Sequence, residues 1–325
     1  VLHGVHGCLV GAHKPLQTWH KRRFAPARGG VKMFPSHGAG SPDGPRILCK
    51  GMSMSSTLAA QATTQATTQA APLVLFEKDA RGVVFLTLNR PAAFNALSEE
   101  MLTALQTALD RAAADVQARA VVIQAAGRAF CAGHDLKEMR AEPSQTYYED
   151  LFAQCGRMMM SIQKLPLPVI AKVQGIATAA GCQLVAQCDL AVAAREARFA
   201  VSGVNLGLFC STPSVALSRN LGRKAAFEML VTGQFISAEE ALDKGLVNRV
   251  ADVQALDEEV DRLLDQIVSK PRVALAMGKA LFYRQLEVGM QAAYDDAAGT
   301  MACNMMEGPA LEGVQAFIDK RPPRW

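Results

Sequence analysis

Residues 72–325 predict an α/β fold with a helical C-terminal region, on three features of the chain. Short β-branched apolar runs recur between residues 73 and 193. Stretches with apolar residues at helical spacing separate them. From Pro213 onward the pattern is mostly helical. With 325 residues, half of them hydrophobic, the chain is long enough for one large domain with a substantial core.

Leu73–Lys78 and Val83–Asn89 are strand-like, and Asp79-Ala80-Arg81-Gly82 between them is a hairpin signal. Ser98 is placed to cap a helix running to about Ala113, and Glu99 and Glu100 suit its positive first turn. Ala120–Gln124 reads as a buried strand, followed by a loop from Gly127 to Gly133 and a helix from about Thr146 to Lys164. Pro168–Val173 is another buried strand. The small-residue run Ala177–Gly181 leads into a helix over Cys182–Cys188, and Asp189–Ala193 is a further strand. Ser237 and Glu240 have the spacing of a capping box.

Residues 1–71 read differently. Gly and Pro are frequent, no period persists, and residues 61–70 repeat a four-residue Gln-Ala-Thr-Thr unit as a low-complexity linker does. Residues 1–51 hold eight Lys or Arg against Asp43 alone, leaving 26 bases and 29 acids in the remainder. A core of net −3 speaks against nucleic-acid binding. The leader has three readings: a transit peptide, an over-long start with Met52 or Met54 the true one, or a basic arm. The expected location is the mitochondrial matrix on the first reading, and the cytoplasm if the chain is bacterial. No run approaches the roughly 18–20 apolar residues of a membrane span. The eight cysteines form no CxxC pair and read as small hydrophobes in a reducing compartment.

Five segments carry the chemistry: Asn89–Leu97, Ala129–Leu136, Gly175–Asp189, Phe199–Pro213, and Leu230–Gly233 continuing through Ile236–Ala241 to Gly245-Leu246-Val247. Ala179-Ala180-Gly181 precedes a helix, whose first N–H groups lack intrahelical partners and sit at its positive end. The Gly133-His134 turn offers a further N–H. Small side chains at both places let a ligand oxygen approach the backbone.

In this order the five segments resemble the enoyl-CoA hydratase/isomerase (crotonase) superfamily over about residues 72–325. The runs Ala177–Ala186 and Gly203–Pro213 look like a subgroup distinct from the general hydratases. The resemblance implies a spiral of repeated ββα units with a helical trimerisation region, assembled as trimers or hexamers. It implies an acyl-CoA ligand, no metal, and no cofactor beyond the coenzyme A moiety. It pairs the backbone amides of His134 and Ala180 on the thioester carbonyl. Substrate contacts fall to Ala93, Gly133, Asp135, Leu136, Gly181, Asn205 and Ser211. Phe317 and Lys320 correspond to residues contacting the CoA adenine and phosphates, often from a neighbouring subunit; an amphipathic helix end is their other reading.

Two departures bear on activity. Family hydratases have Glu where this chain has Gln183 and Gly203. An amide takes up no proton at neutral pH and glycine has no side chain. A general acid or base commonly contributes about 10²–10⁴-fold, so hydration is expected to be weak or absent. His134 is the sole histidine after residue 51, and its side chain is expected to face solvent or the CoA. Asp135 reads as a loop or helix-cap acid and Cys210 as packing. A gain of hydration on exchanging Gln183 and Gly203 together for Glu would show that the scaffold is intact. A non-catalytic acyl-CoA-binding protein is the rival reading.

Overall fold

The computed structural model describes residues 71–141 and 143–325; the leader and most of the linker lie outside them. Among the described residues ten strands and eleven α-helices follow in order: β1 (Val74–Lys78), β2 (Val83–Leu88), α1 (Glu99–Ala114), β3 (Ala120–Ala125), β4 (Ala129–Cys131), α2 (Leu136–Ala141), α3 (Gln145–Lys164), β5 (Val169–Val173), β6 (Ile176–Thr178), α4 (Ala180–Gln187), β7 (Leu190–Ala194) and β8 (Arg198–Ala200). Then come α5 (Ser211–Asn220), α6 (Arg223–Thr232), β9 (Ile236–Ser237), α7 (Ala238–Asp243), β10 (Arg249–Ala251), α8 (Leu256–Val268), α9 (Arg272–Gln285), α10 (Met290–Met305) and α11 (Gly308–Ile318).

The strands form two sheets, ordered β1-β2-β3-β5-β7-β10 and β4-β6-β8-β9. β1 and β2 are the antiparallel hairpin that Asp79–Gly82 signals, and the rest of the large sheet is parallel. Strands β3, β5 and β7 lie in the large sheet and their successors β4, β6 and β8 in the small one. A helix follows each pair, so the chain repeats a ββα unit.

The large sheet is apolar on both faces because both are covered. Val121 and Ile123 of β3 join a core with α1 and α3, whereas Ala120 and Val122 pack with Leu256, Val260 and Leu264 of α8. The caps form as their spacing predicts. Ser98 Oγ accepts from Met101 N at 3.2 Å, and Ser237 with Glu240 makes a reciprocal capping box. Two expectations need correction. The loop after Gly127 contains β4, and a short helix, α2, precedes α3. Neither β4 nor β8 is long enough, at three residues each, to show a period of two.

Candidate active site

Asn95 fixes the first wall of the site. It is fully buried, its Nδ2 donates to the carbonyls of Ala126 and Ala129 at 2.9 Å each, and its Oδ1 accepts from Arg90 N. The chain then runs beside the turn after β4. Leu97 N donates to Gly133 O at 2.8 Å, and Asp135 N donates to Leu97 O at 3.3 Å. In this parallel bridge Leu97 bonds the residues on either side of His134. The N–H of His134 is thereby turned to the opposite side.

The second wall is the start of α4. Ala179 N donates to Ala200 O at 3.0 Å, which ties the turn to β8. Its backbone has φ +51° and ψ −121°, a conformation that costs a non-glycine residue about 1–3 kcal/mol. The next N–H, of Ala180, opens the helix and has no intrahelical acceptor. The two walls touch. Gly133 has φ +92°, and a Cβ there would lie 2.9 Å from Ala179 Cβ and 3.2 Å from Ala180 N. Gly181 allows the same approach one residue on, since a Cβ would fall 2.1 Å from Cys131 O.

Between the walls lies a cavity of about 290 Å³. His134 and Ala180 line it, with Leu136 and Met139 from α2, Phe152 from α3, and parts of the 202–213 segment that include Gly203 and Ser211. Among the described residues that line it, none is Asp, Glu, Lys or Arg. Met139 and Phe152 escaped the sequence reading. Asp135 as a cap, followed by Leu136 and Met139 at helical spacing, was the available signal for this wall.

Gln183 and Gly203 are placed very differently. Gln183 is 4% exposed on α4 and its Oε1 has no hydrogen-bond partner among the described residues; it is not among the residues lining the cavity. Gly203 lines it, in the 3-10 turn Ser202–Leu206. Its N–H donates to Cys210 Sγ at 3.3 Å, and a Cβ would lie 2.5 Å from Leu208 O and 2.7 Å from Cys210 Sγ. The backbone therefore closes over the position where a carboxylate would have to emerge.

The His134 ring lies edge-on to Phe152 with centroids 5.4 Å apart, and its Nδ1 is 3.4 Å from Leu97 O. Assigning the Nδ1 proton to that carbonyl leaves Nε2 an acceptor, and Nε2 is buried with no partner among the described residues. The ring is partly buried beside the cavity, and burial holds its pKa below the ordinary histidine value. The Cys210 thiol is also largely buried, and burial raises its pKa.

The remaining sequence-derived residues lie outside the cavity wall. Asp135 Oδ1 accepts from the N–H groups of Lys137 and Glu138 at the start of α2, and its Oδ2 pairs with Arg90 Nη1 at 2.8 Å. Asn205 Nδ2 donates to Gly233 O at 3.2 Å, which anchors the 202–206 turn. Ala93 closes a 3-10 turn at Pro91–Ala93. Phe317, 85% exposed, and Lys320 sit at the end of α11. Among the described residues no cluster of three His, Cys, Asp or Glu could hold a metal ion.

The family profile described as enoyl-CoA hydratase/isomerase matches residues 78–325, and the chain belongs to that family, the crotonases. It is 45% identical over 244 residues to enoyl-CoA hydratase domain-containing protein 3, mitochondrial, of Rattus norvegicus, covering 75% of this chain and 81% of that one. Among solved structures, an enoyl-CoA hydratase of Mycobacterium smegmatis has 68% sequence identity and a TM-score of 0.77, over 78% of this chain and 99% of that one. The human enoyl-CoA hydratase domain-containing protein 3 structure has 43% identity and a TM-score of 0.75, over 78% and 100%. The ββα repeat is thus the crotonase fold.

Proposed function

We propose that the chain binds an acyl-CoA or enoyl-CoA thioester and polarises its carbonyl with the N–H groups of His134 and Ala180. One observation carries this reading. The Leu97 bridge turns the His134 N–H away from itself, and the start of α4 leaves the Ala180 N–H without an intrahelical partner, on two walls of one cavity. Donors so placed favour an oxyanion or enolate beside the sulfur. Removing one such donor typically costs about 2.7–4 kcal/mol in the transition state.

Hydration is weak or absent on this reading. Gln183 exchanges no proton, Gly203 has neither a side chain nor room for one, and among the described residues no carboxylate lines the cavity. These same features favour a second reading, an acyl-CoA-binding protein of lipid metabolism without turnover. Incubating the full chain with a panel of acyl-CoAs, with binding and product measured separately, divides the two. Turnover of any thioester supports the enzyme, and tight binding without product across the panel supports the second reading. Efficient hydration of crotonyl-CoA would overturn the argument from Gln183 and Gly203.

The assembly proposed is a trimer or a dimer of trimers. It is supported by Phe282, Tyr294, Met301, Leu311 and Phe317, large apolar side chains exposed on α9–α11. Relatives named as mitochondrial support a matrix location if residues 1–51 act as a transit peptide.

A further inference from the structure

The cavity between the two walls is larger than a thioester carbonyl needs, and much of its lining is apolar. Leu136 and Met139 of α2, Phe152 of α3, and Leu206, Leu208 and Phe209 of the 202–213 segment supply it. Tyr148 Oη donates to Met139 O at 2.9 Å, which ties together the two helices that carry Met139 and Phe152. Two hydroxyls at the wall are engaged within the chain. Ser202 Oγ shares a hydrogen with Thr178 Oγ1 at 2.9 Å, and Ser211 Oγ donates to Phe209 O at 3.3 Å. Leu136, Leu206, Leu208 and Phe209 border the cavity and are also exposed. Large apolar side chains left open beside a concave site are the kind of surface a ligand covers.

Size and charge narrow the ligand. An apolar cavity of about 150 Å³ accepts one benzene ring. By the same proportion, the cavity of about 290 Å³ accepts roughly twelve non-hydrogen atoms. The thioester carbon, oxygen and sulfur at the amides of His134 and Ala180 take three of these, which leaves roughly nine for the chain. A butyryl group would leave much of the apolar wall uncovered. A carboxylate at the chain's end would leave water with no charged side chain, among the described lining residues, to compensate it. Arg90, on the Asn95 wall, is already paired with Asp135 at 2.8 Å.

We infer that the site takes the thioester of an uncharged aliphatic chain of medium length, roughly six to ten carbons, and that Met139 and Phe152 set its upper limit. The inference rests on the acyl-CoA reading above and names the class of acyl group within it.

Calorimetric titration of the full chain with butyryl-, hexanoyl-, octanoyl-, decanoyl- and dodecanoyl-CoA tests it, with suberyl-CoA as the octanoyl analogue that ends in a carboxylate. Octanoyl-CoA should bind at least about tenfold more tightly than butyryl-CoA, since each methylene buried is worth up to about fourfold. The gain should stop by decanoyl-CoA, and suberyl-CoA should bind at least about tenfold more weakly than octanoyl-CoA. Phe152→Ala should carry the gain on to dodecanoyl-CoA, and Met139→Trp, which fills space, should stop it at hexanoyl-CoA. The parent series and Met139→Trp decide the matter if Phe152→Ala fails to fold. Equal affinity for all chains, a preference for butyryl-CoA, or a gain undiminished through dodecanoyl-CoA would each overturn the inference and leave the acyl-CoA reading standing. So would suberyl-CoA binding as tightly as octanoyl-CoA, or a limit that neither variant moves. If no thioester binds, the acyl-CoA reading falls and this one with it.

Discussion

At the scale of single residues, Gly203 and His134 decide what chemistry the cavity supports. Gly203 marks more than a missing carboxylate, because Leu208 O and Cys210 Sγ occupy the space a side chain would need. Gly203→Glu, alone or with Gln183→Glu, should therefore fail to create hydratase activity and should destabilise the fold by about 1–3 kcal/mol, as overpacking typically does. Urea unfolding and a crotonyl-CoA assay check both parts, and a gain of hydration would show that the 202–210 segment opens. His134 gives the site a pH dependence. Burial is the main cause of its depressed pKa, opposed in part by the contact with Leu97 O. An unfolded histidine takes its proton near pH 6.5, whereas the folded one resists until lower pH. The unfolded state thus binds more protons between those two values. The stability contributed by neutral His134 is present above about pH 6.5 and declines as pH falls toward the folded pKa. Urea midpoints measured from pH 7 downward should fall over this window in the parent, and fall less in His134→Gln.

Among the elements, α9 is held to the core by an ion pair rather than by apolar burial alone. Lys279 Nζ lies 2.6 Å from Asp189 Oδ2 and also donates to the carbonyls of Ile162 and Leu167. Tyr283 Oη donates to Asp189 Oδ1 at 2.7 Å, and Val169 N donates to Oδ2. Removing one partner of a buried pair leaves the other charge uncompensated, so Asp189→Ala should cost about 3–5 kcal/mol in denaturant unfolding. A loss below about 1 kcal/mol would show that α9 is held by other contacts. None of this clamp was legible in the sequence, since Asp189 and Lys279 stand 90 positions apart. What was legible had local causes. The Ser98 cap and the Ser237–Glu240 box depend on residues within one turn, and the buried strands declared themselves by apolar runs. Small residues at a turn and a helix start marked candidate backbone donors, and the family resemblance paired those of His134 and Ala180. Their presence on one cavity depends on the bridge from Leu97, which crosses 37 positions of chain. The closed space at Gly203 was hidden for a related reason, because it is made by backbone folding back from residues 208–210.

For the whole molecule, two features need a setting larger than one described chain. The apolar side chains exposed on α9–α11 call for a covering surface. Analytical ultracentrifugation should report a trimer or a multiple of it, and a monomer at micromolar concentration would contradict that assembly. Phe317 and Lys320 do not line the cavity of their own chain, and the role proposed for them at the CoA is played from a neighbouring copy. The central claim, that two backbone amides hold a thioester carbonyl, is tested most directly by isotope-edited infrared spectroscopy of a [1-¹³C]acyl-CoA bound to the full chain. The labelled carbonyl stretch should move to lower frequency on binding, as hydrogen bonding from the His134 and Ala180 N–H groups weakens the C=O bond. A bound thioester whose carbonyl stretch stays at its solution frequency or moves higher would contradict it.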